Sequence, residues 1–170
     1  MKIATRILLF AVIVWVAQYL FIAYVPNIIF GIAQFRKPQP VNTVIHNGPT
    51  DATMRKVVLP NPDFIYSACF YDLTDNDLII EGEFADSTQY CSLSFYGDDV
   101  QPYYVRNNMQ GFKPKYSIRF SSVNRVVRTL RAKTKKGVIL MRILATTPQQ
   151  MARAKQLQAT FKVRTVSQND

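Results

Sequence analysis

The chain has 170 residues and a mass of 19.5 kDa, and an apolar N-terminal stretch of about 36 residues leaves enough sequence for one domain with its own core. Apolar residues make up 48% of the chain and aromatic residues 12%, which excludes a disordered protein. One histidine and two cysteines are too few for a His/Cys zinc site or a haem attachment site, so we expect neither a metal nor a cofactor.

The first predicted element is a membrane-spanning helix. Residues 7–25 contain no charged side chain and would span about 28 Å as a helix, close to the thickness of the hydrocarbon core. The run is longer than the roughly 7 to 15 apolar residues of a signal peptide. We therefore expect an uncleaved anchor within residues 1–36, and cleavage near residues 31–33 (Gly-Ile-Ala) is the alternative. Pro26 should end or kink the helix, and residues 27–35 either extend it or lie among the lipid headgroups.

The positive charges that flank this span predict its orientation. Lys2, Arg6 and the α-amino group precede the span closely, whereas Arg36 and Lys37 follow it at a greater distance. Basic residues near a span tend to stay on the cytoplasmic side. We therefore expect the N-terminus in the cytoplasm and the following domain on the other side of the membrane.

Turn-forming and strand-forming residues alternate through the rest of the chain. Residues 37–53 are predicted to be a linker with one short strand near residues 41–45, and residues 54–170 a β-rich domain. The first three strands should form an antiparallel meander, and the first of them, apolar on both faces, should be central. The predicted strands cover residues 63–73, 77–84, 89–96, 103–105, 115–120, 125–130, 137–145 and 161–166.

One amphipathic helix follows the most apolar strand. Thr147 is its expected N-cap and Pro148 its first residue. The residues predicted to face the sheet are Met151, Ala154, Leu157 and Phe161. The predicted fold class is mainly β: an antiparallel sandwich or jelly-roll-like domain with this C-terminal helix, preceded by a single transmembrane helix.

Alternation within the third strand predicts which of its faces is dry. Cys91, Leu93 and Phe95 share one parity and are expected to point into the core. The opposite parity carries Tyr90, Ser92, Ser94 and Tyr96.

Acidic and basic residues are segregated along the chain. Residues 51–99 carry ten of the eleven acidic residues and only two basic ones, whereas residues 100–169 carry fifteen basic residues and no acidic ones. Either the two halves neutralise each other as neighbours in one sandwich, or the surplus forms a basic face. The candidate basic face consists of Arg125, Arg128, Arg131, Lys133, Lys135 and Lys136.

A basic face on a tethered domain would meet anionic surfaces. Each basic side chain near an anionic membrane contributes about 1 kcal/mol. Membrane lipid is therefore one expected partner, and an acidic protein is the other. Nucleic acid is not expected, because no recognition motif accompanies the charge.

Few residues point to chemistry. Cys69 and Cys91 lie in the first and third predicted strands, where they could form a disulfide outside the cytoplasm or remain buried free thiols. His46 belongs to no catalytic or metal-binding motif and is expected to be a surface residue without a role. Glu81 and Glu83 share one face of a strand, which is typical of a solvated surface.

Seven tyrosines fall in or beside predicted strands and combine a large apolar ring with a polar tip. They mark either the edge of a sandwich or a lined pocket or partner surface. These residues are Tyr66, Tyr71, Tyr90, Tyr96, Tyr103, Tyr104 and Tyr116.

Residues 60–73, PNPDFIYSACFYDL, resemble the P-N-x-D-x-x-Y-S-x-x-x-x-D-L core of a bacterial family of domains of unknown function, number 1254. Residues 78–84 correspond to the strand that follows in that family. Gln89 and Tyr90, with Asp98, resemble its R-Y-x-x-x-Q-x-x-D stretch, with Gln89 in place of the arginine. The later GVILMRILATTP is similar to the closing strand of a companion family, number 1214.

The resemblance implies a bacterial source, a β-rich, jelly-roll-like fold, and longer relatives that carry both modules in one chain. Together with the predicted span, it places the chain in the inner membrane with its C-terminal domain in the periplasm. The carried-over signature residues are Asn61, Asp63, Tyr66 and Asp72. Asn61 and Asp63, around a proline, are expected to fold a turn by side-chain to backbone hydrogen bonds, which Tyr66 would close.

Two functions remain open at this point. The first is a membrane-anchored periplasmic binding or assembly module that is not an enzyme and pairs with a companion chain of the 1214 type. The second is a hydrolase or ligand-processing enzyme with a pocket built from Asp63, Tyr66 and Asp72. The second predicts that Asp63→Asn abolishes turnover while the fold stays intact.

Overall fold

The computed structural model describes residues 3–36, 40–49, 60–111, 113–123 and 129–168, with side chains placed up to residue 32 in the first range. The chain divides after Pro38 into two compact units. The first unit contains the N-terminal helix, and the second contains the β-rich domain.

Helix α1 (Ile3–Arg36) makes up the N-terminal unit. It continues through Pro26, although proline cannot donate to the carbonyl of Ile22 one turn earlier. The helix thus does not end at Pro26, and of the two alternatives for residues 27–35 the extension of the helix is confirmed. In the described part of the chain, α1 is the one helix long and apolar enough to cross a membrane, and 18 consecutive residues within Ile3–Ile32 have a mean hydropathy of 2.3. A signal sequence near an N-terminus would have the same properties.

The second unit consists of strands and one α-helix, as the residue pattern predicts, together with a 3-10 turn at Asn108–Gln110. Alternating and apolar runs fold as strands close to their predicted limits, within one or two residues at most ends. In the described residues the elements are β1 (Val44–His46), β2 (Phe64–Asp72), β3 (Asn76–Glu83), β4 (Cys91–Gly97), β5 (Pro102–Asn107), β6 (Lys115–Ser121), β7 (Thr129–Arg131), β8 (Lys136–Leu144), α2 (Pro148–Thr160) and β9 (Lys162–Ser167). The predicted strand over residues 125–130 is described only from Thr129 onward.

The strands form two sheets. One has the order β1-β2-β8-β4-β5, and the other has the order β7-β6-β3-β9. The predicted meander of β2, β3 and β4 is wrong, because β3 lies in the opposite sheet and β8 separates β2 from β4. Leu73, fully buried directly after β2, anchors the crossing between the sheets. Alternation predicts which face of a strand is dry, but it does not identify the neighbouring strand.

The core lies between the two sheets. The ring of Phe120 from β6 meets Tyr71 of β2 at 4.9 Å between centroids and Phe95 of β4 at 5.1 Å. Cys91, Leu93 and Phe95 are fully buried on the inner face of β4, as predicted. The molecule is thus a two-sheet β domain with an N-terminal apolar helix and a C-terminal helix, which confirms the predicted fold class.

Helix α2 begins as the sequence predicts. The hydroxyl of Thr147 accepts a hydrogen bond from the N–H of Gln150, and Pro148 occupies the first turn. Ala154 and Leu157 are buried on the predicted face. Gln158 is buried as well. Its side-chain amide donates to the backbone carbonyls of Asn47 and Tyr66, and these hydrogen bonds tie α2 to β2.

Charges that are far apart in sequence become neighbours in space. Each of the six ion pairs among the described residues joins an acid from residues 72–99 to a base from residues 115–164. The most buried is Asp77 with Arg119, at 3.0 Å. Neutralisation between the two halves of the domain, one of the two alternatives drawn from the sequence, therefore accounts for a large part of the charge segregation.

Candidate functional site

The signature turn at the start of β2 folds as predicted. The side-chain oxygen of Asn61 accepts from the backbone N–H of Asp63 at 2.9 Å. The hydroxyl of Tyr66 accepts from the backbone N–H of Asn61 at 3.2 Å and closes the turn. This hydrogen bond holds the ring of Tyr66 beside the turn, on one face of the sheet.

This turn forms one wall of a hollow on the face of the five-stranded sheet that points away from the core. The hollow has a volume of about 380 Å³ and is open to solvent. Three rings surround it: the ring of Phe64 lies 6.4 Å from that of Tyr66 and 6.1 Å from that of Tyr90, centroid to centroid. The hollow is lined by Asn61, Phe64, Tyr66, Tyr90 and Arg142.

Arg142 supplies the charge in this hollow. It projects from β8, the middle strand of the sheet, directly between Tyr66 of β2 and Ser92 of β4. Its Nε is buried and has no hydrogen-bond partner among the described residues, and the same holds for the hydroxyl of Ser92. Its Nη2 lies 3.5 Å from the hydroxyl of Ser94, a long contact.

Asp72, the fourth signature residue, lies at the far end of β2. Nine residues of extended strand separate it from Asp63, which corresponds to about 30 Å. Its carboxylate accepts from the hydroxyl and the N–H of Thr74 and pairs with Lys136 at 3.1 Å. Burial alone would raise the pKa of Asp72. The hydrogen bonds from Thr74 and the ion pair with Lys136 outweigh burial and hold this pKa below its usual value. Asp63 and Asp72 therefore do not share a pocket, and the structure does not assemble the predicted site of Asp63, Tyr66 and Asp72.

Beyond the hollow, the same side of the five-stranded sheet is apolar; we call this side the outer face. One row crosses all five strands in register and carries no charge: Ile45, Ala68, Leu140, Ser94 and Val105. The next row adds Phe70, Val138, Tyr96 and Pro102. Val105 is 44% exposed, Ala68, Phe70, Val138 and Leu140 are half-buried, and Ser94 is fully buried.

The outer face ends at charged side chains. Arg142 borders it at one end, and the Asp72–Lys136 pair borders it at the other end, beyond Phe70. Four interstrand spacings and three two-residue steps, counted from the Arg142 row to the Asp72–Lys136 row, give the face and its two charged borders together an area on the order of 400 Å².

The candidate basic face is only partly free. Lys133 pairs with Asp99 at 2.6 Å and Lys136 with Asp72, so two of its members meet acids of the same domain. The lysine ammonium holds the pKa of Asp99 below its usual range. Arg131 and Lys135 are exposed. Arg125 and Arg128 lie outside the described residues.

The two cysteines are free and buried. In register, Cys69 faces Ile139 and Cys91 faces Ile143, so β8 lies between their strands. Two interstrand spacings already separate them by about 10 Å, beyond the reach of a disulfide. Of the two alternatives drawn from the sequence, the structure shows the buried free thiols. Burial raises the pKa of each thiol to about 12.

His46 and the acids offer no metal site. The ring nitrogen Nδ1 of His46 lies 2.9 Å from the hydroxyl of Ser67 on the neighbouring strand. Within the described ranges, no three side chains of His, Cys, Asp or Glu come close enough to hold a metal ion.

Two of the seven tyrosines lie in neither predicted environment, because their rings are buried in the core. Tyr71 and Tyr116 are buried, and burial raises the pKa of both. Tyr66 and Tyr90 line the hollow and Tyr96 lies on the outer face. No sequence motif connects Tyr90 with Arg142, although both line the hollow. The available signal was the parity of β8, which places the single arginine of GVILMRILA on the side opposite the buried Ile139, Met141 and Ile143.

The sequence model of the family described as "Protein of unknown function (DUF1254)" matches residues 41–165, which is most of the chain. The chain therefore belongs to the DUF1254 family. This confirms the resemblance of residues 60–73. No curated protein matches the chain.

Two solved structures share the fold. The VPA0106 protein from Vibrio parahaemolyticus superposes with a TM-score of 0.65 at 13% identity, covering 85% of this chain. A putative uncharacterized protein from Burkholderia cenocepacia gives 0.52 at 14% identity, covering 81% of this chain. The present chain spans only 35% and 39% of the length of those two proteins.

Proposed function

We propose that this protein is a single-pass, membrane-anchored binding module of the bacterial periplasm, and that it docks a companion protein through the outer face. The companion would be a chain of the 1214 type. The observation that carries the proposal is the uncharged row that crosses all five strands, from Ile45 to Val105, on the side of the sheet away from the core.

The size and composition of the outer face support docking. The largest exposed apolar patch on a soluble domain has an area of about 300 to 600 Å² and is often functional. The face combines branched aliphatic residues with the rings of Phe70 and Tyr96, and aromatic side chains are enriched at interface cores. About 400 Å² is half of what one partner buries in a standard interface, so the surrounding polar rim would complete it.

The solved relatives carry more sequence than the module that this chain matches. In each of them, more than half of the chain lies outside the matched part. An apolar sheet face is the surface on which such a part would pack.

The outer face can be tested with a matched pair of valines. Val105 lies on the outer face and is 44% exposed, whereas Val123 follows β6 in the other sheet and is 47% exposed. We expect Val105→Lys to reduce a stoichiometric complex, extracted in mild detergent, to the single chain. Val123→Lys should leave the complex intact. Equal behaviour of the two variants, with both folded, would remove the outer face as the docking surface.

The periplasmic orientation needs its own test. In spheroplasts, added protease should digest the domain and leave a fragment with the length of α1 in the membrane. Protection of the domain until the membrane is permeabilised would place it in the cytoplasm. Recovery of a chain that begins beyond residue 31 would instead show cleavage of a signal sequence.

A further inference from the structure

We propose that the hollow around Arg142 binds the carboxylate of a small molecule with an apolar body. This site lies at one end of the outer face, and its binding does not require the companion protein. It involves a residue that lies outside the signature turn and outside the candidate basic face.

The charge of Arg142 is not matched within the described part of the chain. None of the six ion pairs includes Arg142, and its buried Nε has no acceptor. A guanidinium stays protonated at all accessible pH values. Burying one of its N–H groups without a partner costs free energy, which an acceptor bound in the hollow would recover.

The other polar groups at the hollow are donors. The oxygen of Tyr66 already accepts from Asn61, so its O–H remains to donate. Tyr90 carries a second hydroxyl at the hollow, whereas the unpartnered hydroxyl of Ser92, next to Arg142 in register, is buried and does not line it. Several donors and one cation around a single space, with no acid among the lining residues, favour an anion.

The shape of the hollow favours a carboxylate on an apolar body. The planar guanidinium presents two parallel N–H groups, which match the two oxygens of a carboxylate. The rings of Phe64, Tyr66 and Tyr90 supply apolar walls next to this charge. A volume of about 380 Å³ lies in the range of small-ligand sites, roughly 300 to 1,000 Å³.

The test compares a carboxylate with its neutral amide on the full chain in an uncharged detergent. The probes are 4-fluorophenylacetate and 4-fluorophenylacetamide, and fluorine NMR line broadening reports their dissociation constants. We expect the carboxylate to bind at least tenfold more tightly than the amide. Equal binding of the two probes, or no binding of the carboxylate, overturns the proposal.

Variants assign the binding to Arg142. Arg142→Met keeps the length of the stem and removes the charge, and it should weaken carboxylate binding at least tenfold. Arg142→Lys keeps the charge but loses the two parallel N–H groups. Its affinity for the carboxylate should lie between those of the wild type and Arg142→Met. The matched control is Arg164→Met, at an exposed arginine of β9 in the other sheet, and it should bind like the wild type. Unchanged affinity in a folded Arg142→Met variant overturns the proposal.

Two further results keep the test decisive. If Arg142→Met does not fold, Tyr90→Phe removes one hydroxyl of the hollow and should weaken the carboxylate several-fold while leaving the amide unaffected. If Arg142→Met releases the companion protein while 4-fluorophenylacetate fails to bind the wild type, Arg142 belongs to the docking surface and the small-molecule site is overturned. Loss of the companion in Val105→Lys with ligand binding retained would separate the two sites.

Discussion

The hydroxyl of Tyr71 lies over Gly137, in the space that a side chain at residue 137 would need. From β2, this hydroxyl donates to the backbone carbonyl of Tyr96 on β4 at 3.1 Å, and it reaches that carbonyl by crossing β8 at Gly137. A Cβ at residue 137 would meet the Tyr71 hydroxyl at 2.5 Å and would clash with the carbonyl of Tyr96. Because Gly137 has no side chain, this hydrogen bond can join β2 to β4 across β8.

Replacing this glycine should destabilise the domain. Gly137→Ala should lower the free energy of unfolding by about 2 to 4 kcal/mol, through overpacking and loss of the Tyr71 hydrogen bond. Urea unfolding of the full chain, followed by near-ultraviolet circular dichroism of the tyrosines, measures the change. Gly48→Ala, where a Cβ meets nothing within 4 Å, is the control and should change stability by less than about 1 kcal/mol. A similar effect of both variants would contradict the close packing over Gly137.

The thiols should be unreactive in the folded protein. Cys69 and Cys91 are fully buried, and burial raises their pKa to about 12, so almost no thiolate forms at pH 8. We expect a disulfide-exchange reagent such as Ellman's to modify neither cysteine in the native chain and both in urea. Gly48→Cys adds an exposed reporter and should react at once. If the reagent modifies neither cysteine in urea, the two cysteines are bridged, which would contradict the register of β2, β8 and β4.

Asp86 should make the stability depend on pH in a defined direction. Hydrogen bonds from Thr88, together with the guanidinium of Arg153, lower the pKa of Asp86 to about 2. Because the carboxylate is more acidic in the folded state, its contribution is fully present above about pH 4 and is lost as the pH falls towards 2. The difference in unfolding free energy between wild type and Asp86→Asn should follow that course.

A double-variant cycle with Arg153 checks the assignment. In an Arg153→Met background, the difference between Asp and Asn at residue 86 should shrink, because one of the groups that favour the carboxylate is gone. A pH-independent difference between wild type and Asp86→Asn would show that the contacts of Asp86 do not persist in solution.

The basic segment should bind anionic membranes in a salt-dependent manner. Neutralising Arg128, Arg131, Lys133 and Lys135 with glutamine should weaken flotation with phosphatidylserine vesicles and reduce its dependence on salt. One of these four residues, Lys133, already pairs with Asp99, which limits the effect.

The matched control for the basic segment uses four other basic residues in the same chain: Lys113, Lys115, Lys155 and Lys162. Glutamine at these four positions changes the net charge by the same amount. Equal loss of vesicle binding in both sets would mean that net charge, rather than the segment, determines binding.

Local patterns predict the elements of this fold better than their arrangement. Alternation in β4 and the capping residues of α2 identify strand faces and a helix start, because these signals act over a few neighbouring residues. The placement of β8 between β2 and β4 depends on contacts between residues far apart in sequence. The predicted meander fails for this reason, since β2, β3 and β4 each have an apolar face that either sheet could bury.

The candidate site divides in the same way. The Asn61 to Tyr66 turn is local and was predicted correctly, down to the closing tyrosine. Asp72 lies nine residues after Asp63, and the strand predicted over residues 63–73 already implies a separation of about 30 Å, so the sequence itself argues against a pocket shared by Asp63 and Asp72. Arg142 reaches the hollow only through the pairing of β8 with β2, which no local pattern specifies.

The central claim is that this chain docks a companion protein through the outer face, and native mass spectrometry tests it most directly. The full-length protein would be extracted gently from its own membrane in detergent, as wild type and as the Val105→Lys and Val123→Lys variants. The account predicts a stoichiometric protein partner on the wild type and on Val123→Lys, and the bare chain for Val105→Lys. A lone wild-type chain, with or without a small bound mass, would contradict it.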